Sequence, residues 1–332
     1  MRALLSRAPG GPETLQLAEI ERPQPGPGEL LVRVRACAIN YPDVLIIQDR
    51  YQFKPPRPFA PGGEIAGEVA ALGAGVEDWA VGDRVVGATG WNGLAEYAVL
   101  RAANAFRLPA NRGFTEGSAL LMTYGTVIHA LVDRASLKEK ELLVVLGAGG
   151  GVGLAAVELG KALGAWVLAC ASSEEKCAAA RDAGADASLK YPSGPLDDEA
   201  QRAFAKDLKA VAGPNGAQVV FDPVGGDYAE PAIRALGWEG RYLVVGFPAG
   251  IPRIRLNLTL LKSCDICGVF WGAFAAREPE RNAAHIAELF RLWDAGKIAP
   301  RVSATYPLTR AGEAIAALGN RSAIGKLVVT LD

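Results

Sequence analysis

A run of glycines directly after a short apolar segment limits the possible folds of this chain more than any other feature. In "ELLVVLGAGGGVG" the apolar stretch ends at Leu146, and five of the next seven residues are glycines. The following "LAAVELGKALGA" predicts a helix that starts near Gly153. Strand, glycines and helix in this order are typical of a turn whose backbone and helix N-terminus bind a dinucleotide pyrophosphate. The alternative is a closely packed glycine turn that binds nothing.

The segments around this turn alternate between strands and helices. Apolar strand patterns occur in "WVLACAS", "AQVVFDPV" and "GRYLVVGF", and a helix-like segment precedes each of them. Upstream, "TEGSALLMTYGTVIHALVDRA" predicts a helix with Thr115 as a candidate N-cap. Apolar strands that alternate with helices indicate a parallel sheet covered on both faces. We therefore predict an α/β fold with a doubly wound parallel sheet in this half.

The first 110 residues follow a different pattern, rich in strands and turns. "LLVRVRACAI" places Val32 and Val34 on one face and Arg33 and Arg35 on the other, as in a half-exposed strand. Shorter strand patterns follow in "EIAGEVAALG", "DRVVGAT" and "GLAEYAVL". "YQFKPPRPFAPGGE" carries four prolines and predicts an irregular loop. The closing "GKLVVTL" predicts a strand that returns to this mostly-β domain.

Composition narrows the class of protein. The 332 residues suffice for about two domains, and a net charge of −1 argues against nucleic acid or an anionic membrane as partner. The N-terminal "MRALLSRAPGGPE" lacks the apolar core of a secretory signal, and no uncharged apolar run approaches the ~18 residues of a membrane span. Five cysteines suit a reducing compartment. We expect a cytoplasmic protein with no nucleic-acid or membrane partner.

The strand after the glycine turn indicates which dinucleotide is bound. NAD sites usually place a carboxylate at the end of this strand, where it binds the ribose 2′-hydroxyl. Here the strand ends in "CASSEEK", so its tip offers Ser172 and Ser173, with Lys176 close behind. A neutral tip with a nearby ammonium can accept a 2′-phosphate, which favours NADPH. The alternative is that a serine only caps the next helix and Lys176 is solvated.

Six further motifs carry a resemblance over nearly the whole chain: "RACAINYPDVLIIQDRY", "PFAPGGEIAGEV", "VGDRVVG", "GAGGGVG", "DPVGG" and "RSAIGK". With them the chain resembles the zinc-free medium-chain dehydrogenases/reductases of the quinone oxidoreductase (zeta-crystallin-like) family. The resemblance implies a GroES-like, mostly-β catalytic domain over 1–122 and 270–332, and a Rossmann NADPH-binding domain over 123–269. It also implies a homodimer joined at the edges of the cofactor-domain sheets, with the strand around Ile266 as the edge.

Metal ligands are missing where zinc-dependent relatives have them. Those relatives carry a cysteine at the position of Asn40 and a histidine at the position of Gly63. A zinc site needs about three protein ligands, and both histidines of this chain, His129 and His285, lie in helix-like segments. The cysteine pair in "CDIC" lies in a strand pattern, where residues three apart face opposite sides. We predict that no metal is bound.

The resemblance also implies site residues. Asn40 takes the place of the family's active-site asparagine, with its amide near the nicotinamide ribose or the substrate oxygen, and Tyr51 faces the substrate, where its phenol orients a carbonyl or delivers a proton. Ordinary roles, a turn residue and a packing aromatic, stay open for both. The implied cofactor residues are Thr126, Ala148, Gly149, Gly150, Gly151, Val152, Gly153, Ser172, Lys176, Tyr191, Gly246, Phe247, Phe270, Trp271 and Lys326, the last in the phosphate pocket. For the aromatics, core packing is an equal alternative.

These expectations lead to three functional hypotheses. Without a Lewis acid to polarise a carbonyl, the substrate must already be a good hydride acceptor, so the first hypothesis is NADPH-dependent reduction of a quinone, a small-molecule substrate. The second is reduction of an enone or enoyl thioester, in which Tyr51 protonates the product. The third is a non-catalytic NADPH-binding protein.

Overall fold

The computed structural model of the chain describes residues 1–331. Its strands are β1 (Arg2–Leu5), β2 (Gln16–Glu19), β3 (Glu29–Ile39), β4 (Glu64–Leu72), β5 (Arg84–Ala88), β6 (Tyr97–Arg101), β7 (Ala105–Arg107), β8 (Leu142–Val145), β9 (Trp166–Ala171), β10 (Ala187–Lys190), β11 (Ala217–Asp222), β12 (Leu236–Val244), β13 (Asp265–Gly268), β14 (Val302–Pro307) and β15 (Lys326–Thr330).

Its α-helices are α1 (Tyr41–Ile46), α2 (Phe114–Gly117), α3 (Leu121–Ile128), α4 (Gly151–Ala162), α5 (Glu174–Asp182), α6 (Asp198–Ala212), α7 (Ala229–Ala235), α8 (Asn257–Lys262), α9 (Trp271–Arg277), α10 (Pro279–Asp294) and α11 (Ala311–Gly319). Within residues 1–331, no helix has both the length and the apolar character needed to cross a membrane.

The chain forms two compact units. The first unit comprises Met1–Met122 and residues 300–331, and the second unit comprises Thr123–Ala299. Residues 270–299, which the resemblance assigned to the first domain, lie in the second unit. The physical reason is the packing of Trp271, whose indole lies so close to Gly125 of α3 that a Cβ there would approach it to 2.8 Å. Its indole N–H also donates to Asn282 of α10 at 3.0 Å, which binds α9 to α10.

The first unit is built on a largely antiparallel sheet with the strand order β14-β15-β3-β4-β5-β7, and β6 pairs with β3. Strand β3 shows the predicted alternation, because Val32 and Val34 are buried while Arg33 is exposed. The predicted return of the C-terminal strand is also confirmed: β15 pairs antiparallel with β3, with Leu327 opposite Ile39. This register brings the last residues of the chain beside the segment that begins at Asn40.

The second unit contains a parallel sheet with the order β10-β9-β8-β11-β12-β13. Every residue of β8 is buried, as expected for a central strand covered on both faces. The chain runs outward from β8 through β9 and β10, then returns to β11 on the other side. In doubly wound sheets ligands bind at such a reversal, outside the carboxyl ends of the strands. The predicted α/β class is therefore confirmed, and its reversal lies between β8 and β11.

The predicted helix around Thr115 is interrupted. It begins at Phe114 with Gly113 as N-cap, so the expected capping role of Thr115 is wrong. Helix α2 ends at Gly117, and α3 passes into a π-helical turn over His129–Arg134. Thr115 lies inside the first turn because the chain adopts the extended N-cap conformation two residues earlier.

We expect Gly153→Ala to lower the free energy of unfolding by about 1–3 kcal/mol, the usual effect of overpacking. A Cβ at Gly153 would lie 2.2 Å from the carbonyl oxygen of Gly147, a backbone atom that cannot rotate away. Urea unfolding measures the change. Gly272→Ala in the first turn of α9 is the control, because its nearest neighbour is a Phe270 side-chain atom at 3.8 Å. Equal stability of the Gly153 variant and the wild type would contradict this account.

Candidate functional site

The glycine turn after β8 leads directly into the N-terminus of α4. Gly147 adopts a left-handed conformation with φ of 61°, and Gly150 is the extended N-cap of a helix that begins at Gly151. The helix thus starts two residues earlier than predicted. Its first intrahelical bond runs from the Leu154 N–H to the Gly150 carbonyl at 2.8 Å. The N–H groups of the residues before Leu154 have no acceptor within the helix, which is the arrangement that binds phosphate.

Two glycines of the turn are required by the packing around them. A Cβ at Gly147 would lie 2.8 Å from Val224, and one at Gly149 would lie 2.6 Å from the Cβ of Lys176. A Cβ at Gly150 would meet only the Gly147 carbonyl oxygen at 3.6 Å, an ordinary contact, so the protein itself does not exclude a side chain there. The lack of a side chain at Gly149 lets the aliphatic stem of Lys176 lie across the turn.

The tip of β9 presents the residues predicted for a 2′-phosphate. The Oγ of Ser173 accepts a hydrogen bond from the backbone N–H of Lys176 at 3.3 Å and so caps α5. The alternative capping role therefore holds for Ser173, while Ser172 lies half-buried one residue after the strand. The first carboxylate, that of Glu174, forms an ion pair with Arg181 at 2.7 Å. Ser172 thus directly follows β9, and Lys176 lies in the first turn of α5 with its aliphatic stem against Gly149 of the glycine turn.

Tyr191 supports the turn from within the second unit. Its ring is 6% exposed and packs against Phe204 and Tyr228, with ring centroids 5.6 and 4.9 Å away. Burial raises the pKa of the phenol, and the nearby Gly147 backbone N–H counteracts part of this shift. The structure brings Tyr191 to the turn through Gly147, and its contact with a 2′-phosphate stays a prediction.

A buried carboxylate shapes the loop that follows β11. Asp222 Oδ1 accepts the N–H groups of Val224 and Gly225 at 2.7 and 2.9 Å, and the Tyr242 hydroxyl donates to Oδ2. Burial raises the pKa of this carboxyl group. The loop is thereby held with Val224 against Gly147. The sequence analysis cited "DPVGG" only as a motif, and an acid directly before a proline and two glycines is the signal that could have identified this role.

The implied nicotinamide residues differ in exposure. Gly246 and Phe247 follow β12, and a Cβ at Gly225 would lie 3.1 Å from the Phe247 ring. Phe247 and Phe270 are 45% and 46% exposed, so both present aromatic surface. Thr126 is half-buried on α3, one residue after Gly125.

Trp271 differs from these aromatics, because only 8% of its surface is exposed and its indole N–H is bonded within the second unit. The core-packing alternative therefore describes Trp271 better than a cofactor contact does.

In the first unit, Asn40 lies in a buried polar cluster. Its Nδ2 donates to Glu64 Oε2 at 2.9 Å and to the Ala38 carbonyl at 3.3 Å, while its Oδ1 accepts from Lys326 Nζ at 2.5 Å. Lys326 also donates to the Ile39 carbonyl at 3.1 Å and lies 3.6 Å from Glu64 Oε2. Burial raises the pKa of Glu64 and lowers that of Lys326, and the opposite charge of each partner counteracts both shifts.

The cluster corrects one expectation about Lys326. The resemblance placed its ammonium group in the phosphate pocket, yet Lys326 is 5% exposed and all its contacts lie within the first unit. An ammonium group that is already engaged by Asn40, Ile39 and Glu64 does not extend to a phosphate. The "GK" signal could not distinguish these roles, because the pairing of β15 with β3 determines the neighbours of the lysine.

A second carboxylate lies beside the cluster. Asp43 accepts the Asn40 backbone N–H and the Gly62 backbone N–H, both at 2.8 Å. Burial raises the pKa of Asp43 to about 6. Tyr51 is half-buried, lies with its ring edge-on to Phe53 at 5.9 Å, and has a raised pKa because of burial and the charge of Asp43. Its phenol therefore stays protonated and can donate.

The donor set around Asn40 does not fit a zinc ion. Asn40 and Gly63 supply neither thiolate nor imidazole, and the nearest cation is the Lys326 ammonium. Among residues 1–331, no group of three or more His, Cys, Asp or Glu side chains is placed to hold a metal. Both histidines instead contact Asp133, through His129 Nδ1 at 2.6 Å and His285 Nε2 at 3.4 Å.

Two known sequence families match the chain. Residues 151–288 match the zinc-binding dehydrogenase family, and residues 26–110 match the alcohol dehydrogenase GroES-like domain. Quinone oxidoreductase-like protein 2 of Rattus norvegicus is 33% identical over 321 residues, which cover 96% of this chain and 89% of that protein. A segment of a mycocerosic acid synthase-like polyketide synthase of Mycobacterium tuberculosis is 30% identical over 324 residues, or 97% of this chain and 15% of that protein.

A solved structure agrees with these sequence matches. The Escherichia coli quinone oxidoreductase complexed with NADPH superimposes with a TM-score of 0.90 at 28% identity, and the match covers 100% of both chains. The similarity thus extends over both units, including a mostly-β unit of the GroES-like type and a Rossmann-like parallel sheet.

Proposed function

The chain belongs to the quinone oxidoreductase family of the medium-chain dehydrogenases/reductases, and on that premise we propose that it is an NADPH-dependent quinone oxidoreductase. The single observation that carries the proposal is the glycine turn with Lys176 across it. Lys176 and Ser172 lie at the end of β9, where NAD-dependent enzymes carry a carboxylate. The similar E. coli enzyme was solved with NADPH, which supports the choice of cofactor.

The residues of the second unit suit this dinucleotide. The N–H groups of Gly151, Val152 and Gly153 would hold the pyrophosphate, and the side chains of Ser172 and Lys176 would hold the 2′-phosphate. When bound, NADPH supplies a hydride. Phe247 offers exposed aromatic surface, beside the loop that Asp222 shapes, on which the nicotinamide ring can pack.

The first unit determines what can accept the hydride. Asn40 and its neighbours do not form a zinc site, so these residues supply no metal Lewis acid to polarise a simple carbonyl. A quinone needs no such help because it carries its own conjugated electron sink. The protonated Tyr51 phenol would donate a hydrogen bond that orients the acceptor and would give its proton to the acceptor oxygen.

A second activity, reduction of an enoyl thioester, is favoured by one specific similarity. The segment of the mycobacterial polyketide synthase aligns over 97% of this chain. The Tyr51 phenol, which stays protonated because burial raises its pKa, could donate the proton that the α-carbon of an enoyl thioester takes up after hydride addition. The two activities differ in how much they need this proton.

Steady-state assays with NADPH and either an ortho-quinone or a trans-2-enoyl thioester test the assignment. We expect the wild type to reduce the quinone, and Tyr51→Phe to lower the kcat of this reaction by a few-fold. If the protein is an enoyl reductase, the same variant should lower the kcat with the thioester about 100-fold or more, since general acid catalysis raises a rate by about 10²–10⁴-fold. Phe53→Leu, which removes the ring in contact with Tyr51 but no hydroxyl, is the control. No NADPH oxidation with any electron-poor acceptor would contradict both activities.

Lys176→Met should raise the dissociation constant of NADPH about tenfold and leave that of NADH nearly unchanged, because a charge-assisted hydrogen bond is worth about 1.5–3 kcal/mol. Methionine keeps the stem that packs on Gly149. Fluorescence titration of both cofactors measures the effect, and Lys206→Met on the exposed face of α6 is the control. Equal losses for NADPH and NADH would refute the 2′-phosphate assignment.

We also propose that two copies pair through β13. This strand ends the sheet order of the second unit, and an unpaired edge can accept a second strand. Ile266 on this strand is 38% exposed, and the neighbouring segments carry more exposed apolar side chains: Ile251, Leu256, Leu260 and Leu261, exposed by 68–82%. Such a patch marks an interface.

Sedimentation velocity should therefore give the mass of a dimer, and Ile266→Asp that of a monomer, because the charge would be buried between the two edges. Val81→Asp, at another exposed apolar residue (67% exposed) in the first unit, should stay dimeric. A monomeric wild type would disprove the pairing.

A further inference from the structure

The hydrogen-bond capacity of the Asn40 amide is almost fully used within the protein. An asparagine amide can donate twice and accept twice. Both N–H bonds of Asn40 are engaged, one by Glu64 and one by the Ala38 carbonyl, and one lone pair of Oδ1 receives the Lys326 ammonium. What remains for a ligand is the second lone pair of Oδ1, on a residue that is 8% exposed. Asn40 can therefore accept a hydrogen bond from a ligand, but it has no N–H left to donate.

The orientation of this amide follows from its two charged neighbours. Glu64 can only accept when ionised, and Lys326 can only donate, so the Nδ2 must face Glu64 and the Oδ1 must face Lys326. Neither neighbour can turn away. Glu64 is fully buried and also accepts the Met122 N–H through Oε1 at 3.0 Å. Lys326 donates to Asn40 Oδ1 and to the Ile39 carbonyl, and its ammonium group forms an ion pair with Glu64 Oε2 at 3.6 Å.

The backbone fixes this lysine as well. Leu327 pairs with Ile39 in the β15–β3 ladder. Because the two strands are antiparallel, Lys326, the residue before Leu327, lies beside Asn40, the residue after Ile39. The ammonium group therefore reaches Asn40 from an adjacent strand, 286 residues away in the sequence.

We propose that Lys326 is a positioning residue which, with Glu64, holds the Asn40 amide as a hydrogen-bond acceptor for a hydroxyl group of the bound cofactor's ribose or of the reduced acceptor. This inference rests on the proposed function, because it takes Asn40 to contact one of these ligands. It goes further in giving the contact a direction: the ligand donates and Asn40 accepts. Stabilisation of a substrate oxyanion then falls to other groups, since Asn40 has no free N–H.

A double-mutant cycle tests the inference with Lys326→Met, Asn40→Leu and the combined variant. The readouts are the dissociation constant of NADPH and, separately, the KM and kcat with an ortho-quinone. If Asn40 accepts from the ribose, Asn40→Leu weakens NADPH binding; if it accepts from the acceptor, KM or kcat changes instead. We expect Lys326→Met to weaken the same parameter about tenfold, and the combined variant to be no worse than Asn40→Leu.

If the fold-changes of the two single variants multiply in the combined variant, the inference is wrong. A lysine that acts only through Asn40 cannot change binding or turnover further once the Asn40 amide has been removed. An Asn40→Leu variant with unchanged NADPH affinity, KM and kcat would overturn it too. Lys297→Met, at an exposed lysine of the second unit, is the control and should match the wild type in every readout.

Lys326→Met leaves the Glu64 carboxylate buried without its cation, so this variant can fail to fold. The cycle is then run in a Glu64→Gln background, so that Lys326→Met no longer leaves an unpaired carboxylate. The combined variant is again expected to be no worse than the Asn40→Leu variant in that background. A wild type that binds NADPH but reduces no quinone would end the proposed function, while the NADPH arm of the cycle would still decide the role of Lys326.

Discussion

The close approach of backbone to backbone in the turn after β8 is the constraint on which the second unit depends. A Cβ at Gly153 would lie 2.2 Å from the Gly147 carbonyl, so α4 can begin this close to the sheet only if residue 153 is glycine. The same closeness leaves the first N–H groups of α4 directed outward at the carboxyl end of the sheet. The Lys176 stem and the Asp222 loop then pack against residues that have no side chains of their own.

The first unit relies on a different interaction, a charge pair buried around an amide. Lys326, Glu64 and Asn40 come from β15, β4 and the residue after β3, so the antiparallel sheet has to form before they meet. Removing either charge alone would leave the other buried without its partner, which is strongly destabilising. Lys326 thus supplies a buried cation 3.6 Å from Glu64 Oε2. Two of its three N–H groups donate within the protein, to the Asn40 side chain and the Ile39 carbonyl.

The sequence predicted what local patterns determine. The alternation in β3, the buried β8 and the strand-glycine-helix order all appear in the structure, because period and backbone sterics act over a few residues. Two features depended on long-range packing and were not predictable in this way. Residues 270–299 joined the second unit through Trp271 and Gly125, and Lys326 turned to Asn40 instead of a phosphate. The start of α2 at Phe114 is a local feature that was misjudged, because Gly113 and not Thr115 adopts the extended N-cap conformation.

In the proposed function, hydride passes from NADPH to an electron-poor acceptor without help from a metal ion. The rate of ortho-quinone reduction should be measured on protein treated exhaustively with a chelator, with its metal content determined by elemental analysis. We expect an unchanged rate with far less than one metal ion per chain. A rate that disappears on chelation and returns on addition of Zn²⁺, or efficient turnover of a plain aliphatic alcohol, would contradict it.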